Sequence, residues 1–441
     1  MKKQVVAAGI IGEVLEWYDF TLYAFLAPVL ATLFFPTHDP ILSLLATFGG
    51  FAAGYLTRPL GGIIFGHLGD RFGRKNTLAF TLLLMAVPTF LMGLLPTYQN
   101  IGIWAPILLI LLRLLQGLSC GGEYTGSIIF LYEHSSIKHQ GFFSSLAIMG
   151  SFIGGLLSIT VISITTAILS HESLYAWGWR LPFLFGIVTA IIGFYTRMKV
   201  AETPIFEQIK KKGDIVRIPL IHIFKMHKRT LLMIMGVSIQ VDAMSYIIIA
   251  YMPTYLTKII GLPMANAMLL TMAAIITVIL TLPLFGALTD KIGSKSLLII
   301  SAIGIMLAAY PVYNLFLQNQ LEYILIGELI FGLFIAMGMA ASPKIIASMV
   351  PPQLRYSTIS IGHGIGIALF GGTAPLIVTF LIDKTGSPFA PTYYIIITAI
   401  VTLLSALRLR SGTSDIITSE MTEDPLKLPL KSGFQPVSEQ L

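Results

Sequence analysis

A small set of ionisable and polar side chains stands inside runs that are otherwise apolar. Glu16 and Asp19 lie in the first run, Arg58 in the second, Arg113, Gln116, Glu123 and Tyr124 in the fourth, and Asp242 in the seventh. A charge at bilayer depth is costly, so it faces a cavity or a partner. Gln116 and Glu123 are seven residues apart and share one helix face, which Arg113 flanks. Acids outnumber bases in the first, second and fourth runs: Glu13, Glu16, Asp19 and Glu123 stand against Arg58 and Arg113. The surplus has to be neutralised by protons, by water or by a cationic group on a bound solute. Such a carboxyl can exchange a proton as a cavity opens alternately to two aqueous sides, and an arginine beside it can hold a carboxylate. Asp19 or Glu123 is therefore expected to carry the proton and Arg113 the carboxylate. In the later runs Glu328 is a candidate of the same kind as Asp242, whereas His363 is expected to pack and Lys344 to snorkel.

The elements that position these residues follow from composition. Apolar residues make up 55% of the chain and charged residues 11%, against roughly 25% charged in soluble domains. A bilayer core needs about 20 apolar residues per helix. Long runs such as Leu78 to Pro96, Ile259 to Thr289 and Ser296 to Leu317 carry no charge at all. The first run is too long for a secretory signal and is expected to be retained as a span. Breaks at Pro, Gly and charge give twelve spans, starting near Val5, Ile41, Thr77, Ile103, Gly141, Leu181, Thr230, Ala265, Ser296, Tyr323, Ser357 and Pro391. The net charge of +7 is concentrated in the loops on one side, including Arg71, Arg74, Lys75, Lys138, Lys291, Lys295 and Arg355. That asymmetry predicts that both termini are cytoplasmic, and it accounts for the basic excess without nucleic acid. Cys120, the only cysteine, excludes a disulfide framework and any multi-cysteine metal site. No cofactor or metal is expected.

Two copies of one loop reveal the organisation. GHLGDRFGRK (Gly66 to Lys75) follows the second span and GALTDKIGSK (Gly286 to Lys295) follows the eighth, six spans later. Gly150 and Gly154 in the fifth span are echoed by Gly362 and Gly366 in the eleventh, both at GxxxG spacing. The predicted fold is an all-α membrane protein of twelve transmembrane helices in two pseudo-symmetric six-helix bundles. The halves are residues 1–196 and 230–410, joined by a basic cytoplasmic linker at 197–229 and followed by a disordered cytoplasmic tail at 411–441.

The loop motif resembles the one that members of the major facilitator superfamily carry between helices two and three, with a degraded copy between eight and nine. Within the superfamily the chain is similar to the metabolite:proton symporters. The matching stretches are EWYDF (Glu16 to Phe20), RPLGG (Arg58 to Gly62), RLLQGLSCGGEYTG (Arg113 to Gly126), GWRLPF (Gly178 to Phe183) and ETPIF (Glu202 to Phe206). IGIWAPILL, YMPTYL and RYS are most similar to the osmolyte importers of that family. The resemblance implies a proton-coupled importer of a small polar solute in the bacterial inner membrane, acting as a monomer in the lipid bilayer. It also implies a gate made by Asp70, Arg71, Arg74 and Lys75, with Asp290 and Lys291 in the second copy. Glu13, Asp242, Glu328 and His363 have no counterpart in the family's pattern, and the tail lacks the heptads of osmosensing members.

Trp17, Tyr18, Tyr23, Tyr124, Tyr246 and Tyr251 lie on the spans that carry the charges. Aromatic faces attract quaternary ammonium, which fits a zwitterion such as betaine or proline; the alternative is a dicarboxylate or tricarboxylate. An exporter would share the loop motif but gives no reason for EWYDF together with RLLQGxxxGGEY. An enzyme is not expected, since the chain has no HExxH zinc pair, and an ATP-driven pump is not expected, since it has no GxxxxGK[ST] loop.

Overall fold

The protein is described by a computed structural model over residues 3–72, 74–199, 228–350 and 352–409. Side chains at 66–79, 122–123 and 352–357 also fall outside the described set, and with them Asp70, Arg71, Arg74, Lys75 and Glu123. So does most of the expected linker, and so does the expected tail.

Helices follow one another with short connections in the order that the hydrophobic runs dictate. Spans 1 to 6 are Lys3–Phe25 continued by Ala27–Phe34, Pro40–Leu56 continued by Arg58–Phe72, Arg74–Leu94, Trp104–His134, Gln140–Ile168 and Arg180–Lys199. Spans 7 to 12 are Lys228–Tyr246 continued through Ile247–Tyr251 to Met252–Lys258, then Met264–Ile292, Ser294–Leu317, Leu321–Ser348, Pro352–Gly366 continued to Ala374–Thr385, and Ala390–Arg408. Among the described residues nine helices are long and apolar enough to cross a bilayer, and the bent pair in span 1 makes a tenth. Spans 3 and 6 complete the twelve. Apolar side chains such as Phe80, Trp104, Leu280, Leu284, Leu307 and Ile397 are exposed on the outer surface, as lipid requires.

Proline sets where the spans bend. Proline lacks an N–H and disfavours helical backbone in the residue before it. Span 1 turns by 59° at Leu26, two residues before Pro28. Span 2 breaks at Thr57, two residues before Pro59. Span 7 widens into a π-bulge at Ile247–Tyr251 before Pro253, and span 11 does the same at Ile367–Gly371 before Pro375. The bulges in spans 7 and 11 lie where the two halves meet, against spans 1 and 2, and the break in span 2 places Arg58 at the head of a half-helix.

Glycine sets how closely the spans pack. A Cβ on Gly117 would overlap the Gly54 carbonyl, and one on Gly121 would overlap the Arg58 carbonyl, so spans 2 and 4 touch backbone to backbone. Gly150 and Gly154 bring span 5 onto the carbonyls of Ile10 and Val14 in span 1. Gly362 and Gly366 bring span 11 onto Ile234 and Met235 of span 7, the corresponding pair in the other half. The two bundles meet where span 5 packs on spans 8 and 10, span 2 on span 11, and span 1 on span 7.

Candidate functional site

The centre of the first bundle is polar and the side chains are held in a defined order. Arg113 on span 4 is fully buried, and its guanidinium lies 4.2 Å from the Phe20 ring centre, 4.8 Å from Tyr23 and 5.1 Å from Phe51. Its Nη1 donates to Gln116 Oε1 at 2.8 Å, one helical turn on, and Gln116 Nε2 donates to Thr89 Oγ1 at 2.7 Å on span 3. Nε and Nη2 have no acceptor among the described residues. That unpartnered edge faces Gly54, where glycine lets span 2 approach closely: a Cβ there would sit 3.3 Å from Nη2 and 3.4 Å from Nε. The aromatic faces offset part of the cost of burying the charge, each contact being worth about 0.5 to 2 kcal/mol. Two parallel N–H donors remain for a carboxylate, the geometry for which a guanidinium is suited.

Around this centre the other acids separate. Arg58 Nη2 binds Glu16 Oε1 at 2.8 Å, and its guanidinium also lies 5.2 Å from the Tyr55 ring centre. Glu13 accepts from Ser127 Oγ on span 4 and from Ser151 Oγ at 2.7 Å on span 5, which ties three spans together. Asp19 is buried against span 6: its Oδ1 and the Thr89 Cγ2 each lie 3.0 Å from the position of a Cβ on Gly186. Asp19 and Thr89 thus both border Gly186, and Thr89, which accepts from Gln116, donates to the Met85 carbonyl at 3.0 Å. Thr89 and Gly186 were not among the residues singled out from sequence. A threonine and a glycine in apolar runs carry no distinctive signal.

At the junction of the halves stand Tyr124, Asp242 and His363. Asp242 Oδ1 lies 3.3 Å from His363 Nε2, so the histidine, expected only to pack, has a carboxylate partner. The Tyr124 ring stacks on the imidazole from the other half. Two cavities of water-molecule size flank the cluster. One is lined by Tyr124, Asp242, Met339, Ser342 and His363, the other by Trp17, Ser151, Asp242 and Tyr246. Tyr55 and Tyr246 meet edge to face at 4.9 Å, and Trp17 is 5.8 Å from Tyr246, so an aromatic wall runs from the Arg113 cage to Asp242. Glu328 stands apart, fully buried on span 10, with neither oxygen hydrogen-bonded among the described residues.

The halves are closed on both sides of this centre. At the face that carries the repeated loops, Asp290 at the end of span 8 accepts from the backbone N–H groups of Gly141 (2.9 Å) and Phe142 (3.0 Å) at the start of span 5. An acid from one half thus caps a helix of the other, where the free N–H groups and the helix dipole favour negative charge. Lys344 Nζ binds the same carboxylate at 2.7 Å. The expected snorkelling lysine is an ion-pair partner instead, because span 10 delivers it beside Asp290. Lys291, expected in the gate, is exposed. At the opposite face Phe48 of span 2 meets Tyr251 of span 7 at 5.8 Å, and Tyr55 lies against Gly372 of span 11.

Gly117 to Gly121 also reads GxSxG, a spacing used by serine hydrolases. It lies in the middle of span 4, and Ser119 Oγ donates to the Thr81 carbonyl. The strand-to-helix elbow that exposes a nucleophile is missing at this position.

Solved structures share the architecture. The proton:xylose symporter XylE bound to 6-bromo-6-deoxy-D-glucose superposes with a TM-score of 0.74 at 17% identity, covering 92% of this chain and 94% of that one. Two six-span bundles closed over a central polar cluster define a membrane carrier with the major facilitator fold. Residues 5–218 match the family described as "Sugar (and other) transporter" and residues 234–435 match "Major Facilitator Superfamily". A relative from Staphylococcus aureus (strain COL) is 35% identical over 94% of this chain and 89% of its own length. The "Proline/betaine transporter" of Salmonella typhimurium (strain LT2) is 32% identical over 100% of this chain and 88% of its own length. The "Glycine betaine/proline/ectoine/pipecolic acid transporter OusA" of Dickeya dadantii (strain 3937) is 32% identical, covering 92% and 82%. The chain belongs to the proline/betaine transporter family of the major facilitator superfamily and is a multi-pass membrane transporter, not an enzyme.

Proposed function

We propose that this chain is a proton-coupled symporter that imports a small zwitterion such as betaine or proline. The observation that carries this reading is the buried Arg113 guanidinium, whose Nε and Nη2 have no acceptor among the described residues while aromatic rings surround it. A substrate carboxylate takes that edge, and its ammonium lies against the aromatic wall formed with Tyr55, Tyr246 and Trp17. A dicarboxylate would need a second free cation at the same depth. Arg58, the other buried arginine of this half, is already bound to Glu16, which favours the zwitterion.

The coupling proton is carried by Asp19 or Glu123. Asp19 is favoured by its burial in span 1 beside Gly186, which also borders Thr89, the end of the hydrogen-bonded chain from Arg113 through Gln116. Asp70, Arg71, Arg74, Lys75 and Asp290 form the inner gate, and the hydrogen bonds of Asp290 to span 5 support that role. The basic loops support a cytoplasmic position for this face in a bacterial inner membrane, with both termini on the same side. One chain encloses the whole path, so the working unit is a monomer in the bilayer.

The test is uptake of labelled betaine into proteoliposomes with an imposed proton gradient, competed by proline or by dicarboxylates. Competition by proline and collapse by a protonophore are expected. Competition by dicarboxylates alone, or uptake indifferent to the gradient, overturns the reading. Full coupled uptake by both Asp19→Asn and Glu123→Gln overturns the assignment of the proton.

A further inference from the structure

The second half buries an acid and a histidine together at the place where the halves meet, and the substrate site makes no use of the pair. Asp242 is 3% exposed and His363 6%. Asp242 Oδ1 is 3.3 Å from His363 Nε2. Tyr124, from the first half, lies over the imidazole with ring centres 4.9 Å apart and planes 10° from parallel. All three line a cavity large enough for water. Asp242 Oδ2 has no hydrogen-bond partner among the described residues.

From this geometry we propose that His363 is a proton site of the second half, paired with Asp242 and covered by Tyr124, so that its protonation holds the two halves together. The proposal deepens the proton-coupled reading above by adding a proton site, but its test does not depend on the transported solute. Imidazole is the side chain that changes charge between roughly pH 5 and 8. With the proton on, imidazolium and Asp242 form a neutral pair, and the cation faces the π-surface of a residue from the opposite half. With the proton off, both attractions fall away and Asp242 is left as a lone anion in an apolar junction. A buried charge that loses its partner favours any motion that lets water reach it. The lock is therefore strongest at acid pH and weakens as pH rises through the titration of the pair.

Titratable and charged groups face the pair from several spans. Span 7 contributes Asp242 and Tyr246, span 4 contributes Tyr124, and span 12 contributes Tyr394 within electrostatic reach of Asp242. Glu13, within reach of Tyr124, is held by two serines. Arg58, on the half-helix of span 2 that packs on span 11, binds Glu16, and Lys344 of span 10 binds Asp290. The Glu123 side chain lies outside the described residues.

The experiment places a single thiol at the cavity wall and reads how often the cavity opens. In a Cys120→Ser background, Met339→Cys is modified by a hydrophilic maleimide in proteoliposomes from pH 5.5 to pH 8.5, with rates corrected for thiolate fraction against a solvent-exposed control cysteine. With His363 present the corrected rate is expected to rise about tenfold across this range, the equivalent of losing one cation–π contact and its ion pair. In His363→Gln the corrected profile is flat. Tyr124→Leu, which keeps the ion pair and removes the cover, labels fast even at pH 5.5. A flat profile with His363 present overturns the proposal, as does an unchanged rise in His363→Gln. Should His363→Gln fail to fold, slow and pH-dependent labelling of Tyr124→Leu overturns it equally. Failure of betaine uptake would instead count against the symport reading and leaves this labelling result interpretable.

Discussion

Spans 4 and 10 occupy corresponding places in the two halves, and each buries one ionisable residue near its start: Arg113 in one and Glu328 in the other. Their surroundings differ. Arg113 has a hydrogen bond to Gln116, three aromatic faces and a glycine opposite its free edge. Glu328 has no hydrogen bond among the described residues, and Tyr313, within its electrostatic reach, also lacks a partner for its hydroxyl. The first is an ordered polar and aromatic surrounding in which Nε and Nη2 keep no acceptor among the described residues. The second is a buried polar group without a built surrounding. Duplication supplied the same scaffold twice, and the side chains at corresponding depths gave the two halves different polar surroundings.

The largest expected effect tests that contrast directly. Arg113→Lys keeps the charge but loses the bidentate edge and the stacking plane, so kcat/KM for uptake should fall on the order of 100-fold. Glycine packing comes next. Gly117→Ala drives a methyl into the Gly54 carbonyl and should cost about 2 to 3 kcal/mol of stability, read by thermal unfolding in detergent. Gly366→Ala, whose Cβ would meet Met235 at an ordinary 3.5 Å, should change it by less than about 1 kcal/mol. If the two substitutions cost the same, the tighter packing of the first half is not what fixes its site.

A fourth substitution bears on the gate. Lys344→Met removes a cation from Asp290 but leaves the two backbone donors, so the closed state should lose about 1 to 2 kcal/mol, seen as faster labelling of a thiol behind the gate. The exposed Asp383–Lys384 pair is the control, and Lys384→Met should change nothing measurable. The smallest effect is expected at Glu328. Glu328→Met replaces an unpaired acid by an apolar chain of similar volume, so uptake should stay within about threefold of the parent and the unfolding temperature should hold or rise. A loss as large as that of Arg113→Lys would show that span 10 carries a site of its own.

Much of this was legible in the sequence. Each span begins within five residues of the place where the hydrophobic runs put it, because lipid imposes a length and a polarity on every helix regardless of its neighbours. The Arg113 and Gln116 contact was also legible, since it spans one helical turn. Contacts between spans were not. Glu16 rather than Asp19 holds Arg58, and Asp290 reaches from one half to the start of a helix in the other. Lys344 read as a lysine near a helix end, and His363 as a packing residue on a glycine-rich span, until tertiary placement gave each an acid.

The sequence by itself therefore determined the spans, the duplication and the inventory of buried charge, all of which depend on local composition and on spacing along a single helix. Only the tertiary structure decided which acid neutralises which base and, among the described residues, which cation keeps donors without an acceptor. That outcome depends on which faces of separate helices meet, and small residues such as Gly54, Gly121 and Gly186 settle it by letting backbones and charges approach. A shift of one residue in that packing would turn a different side chain inward. The pairing of charges is a property of the assembled bundle, and no single span encodes it.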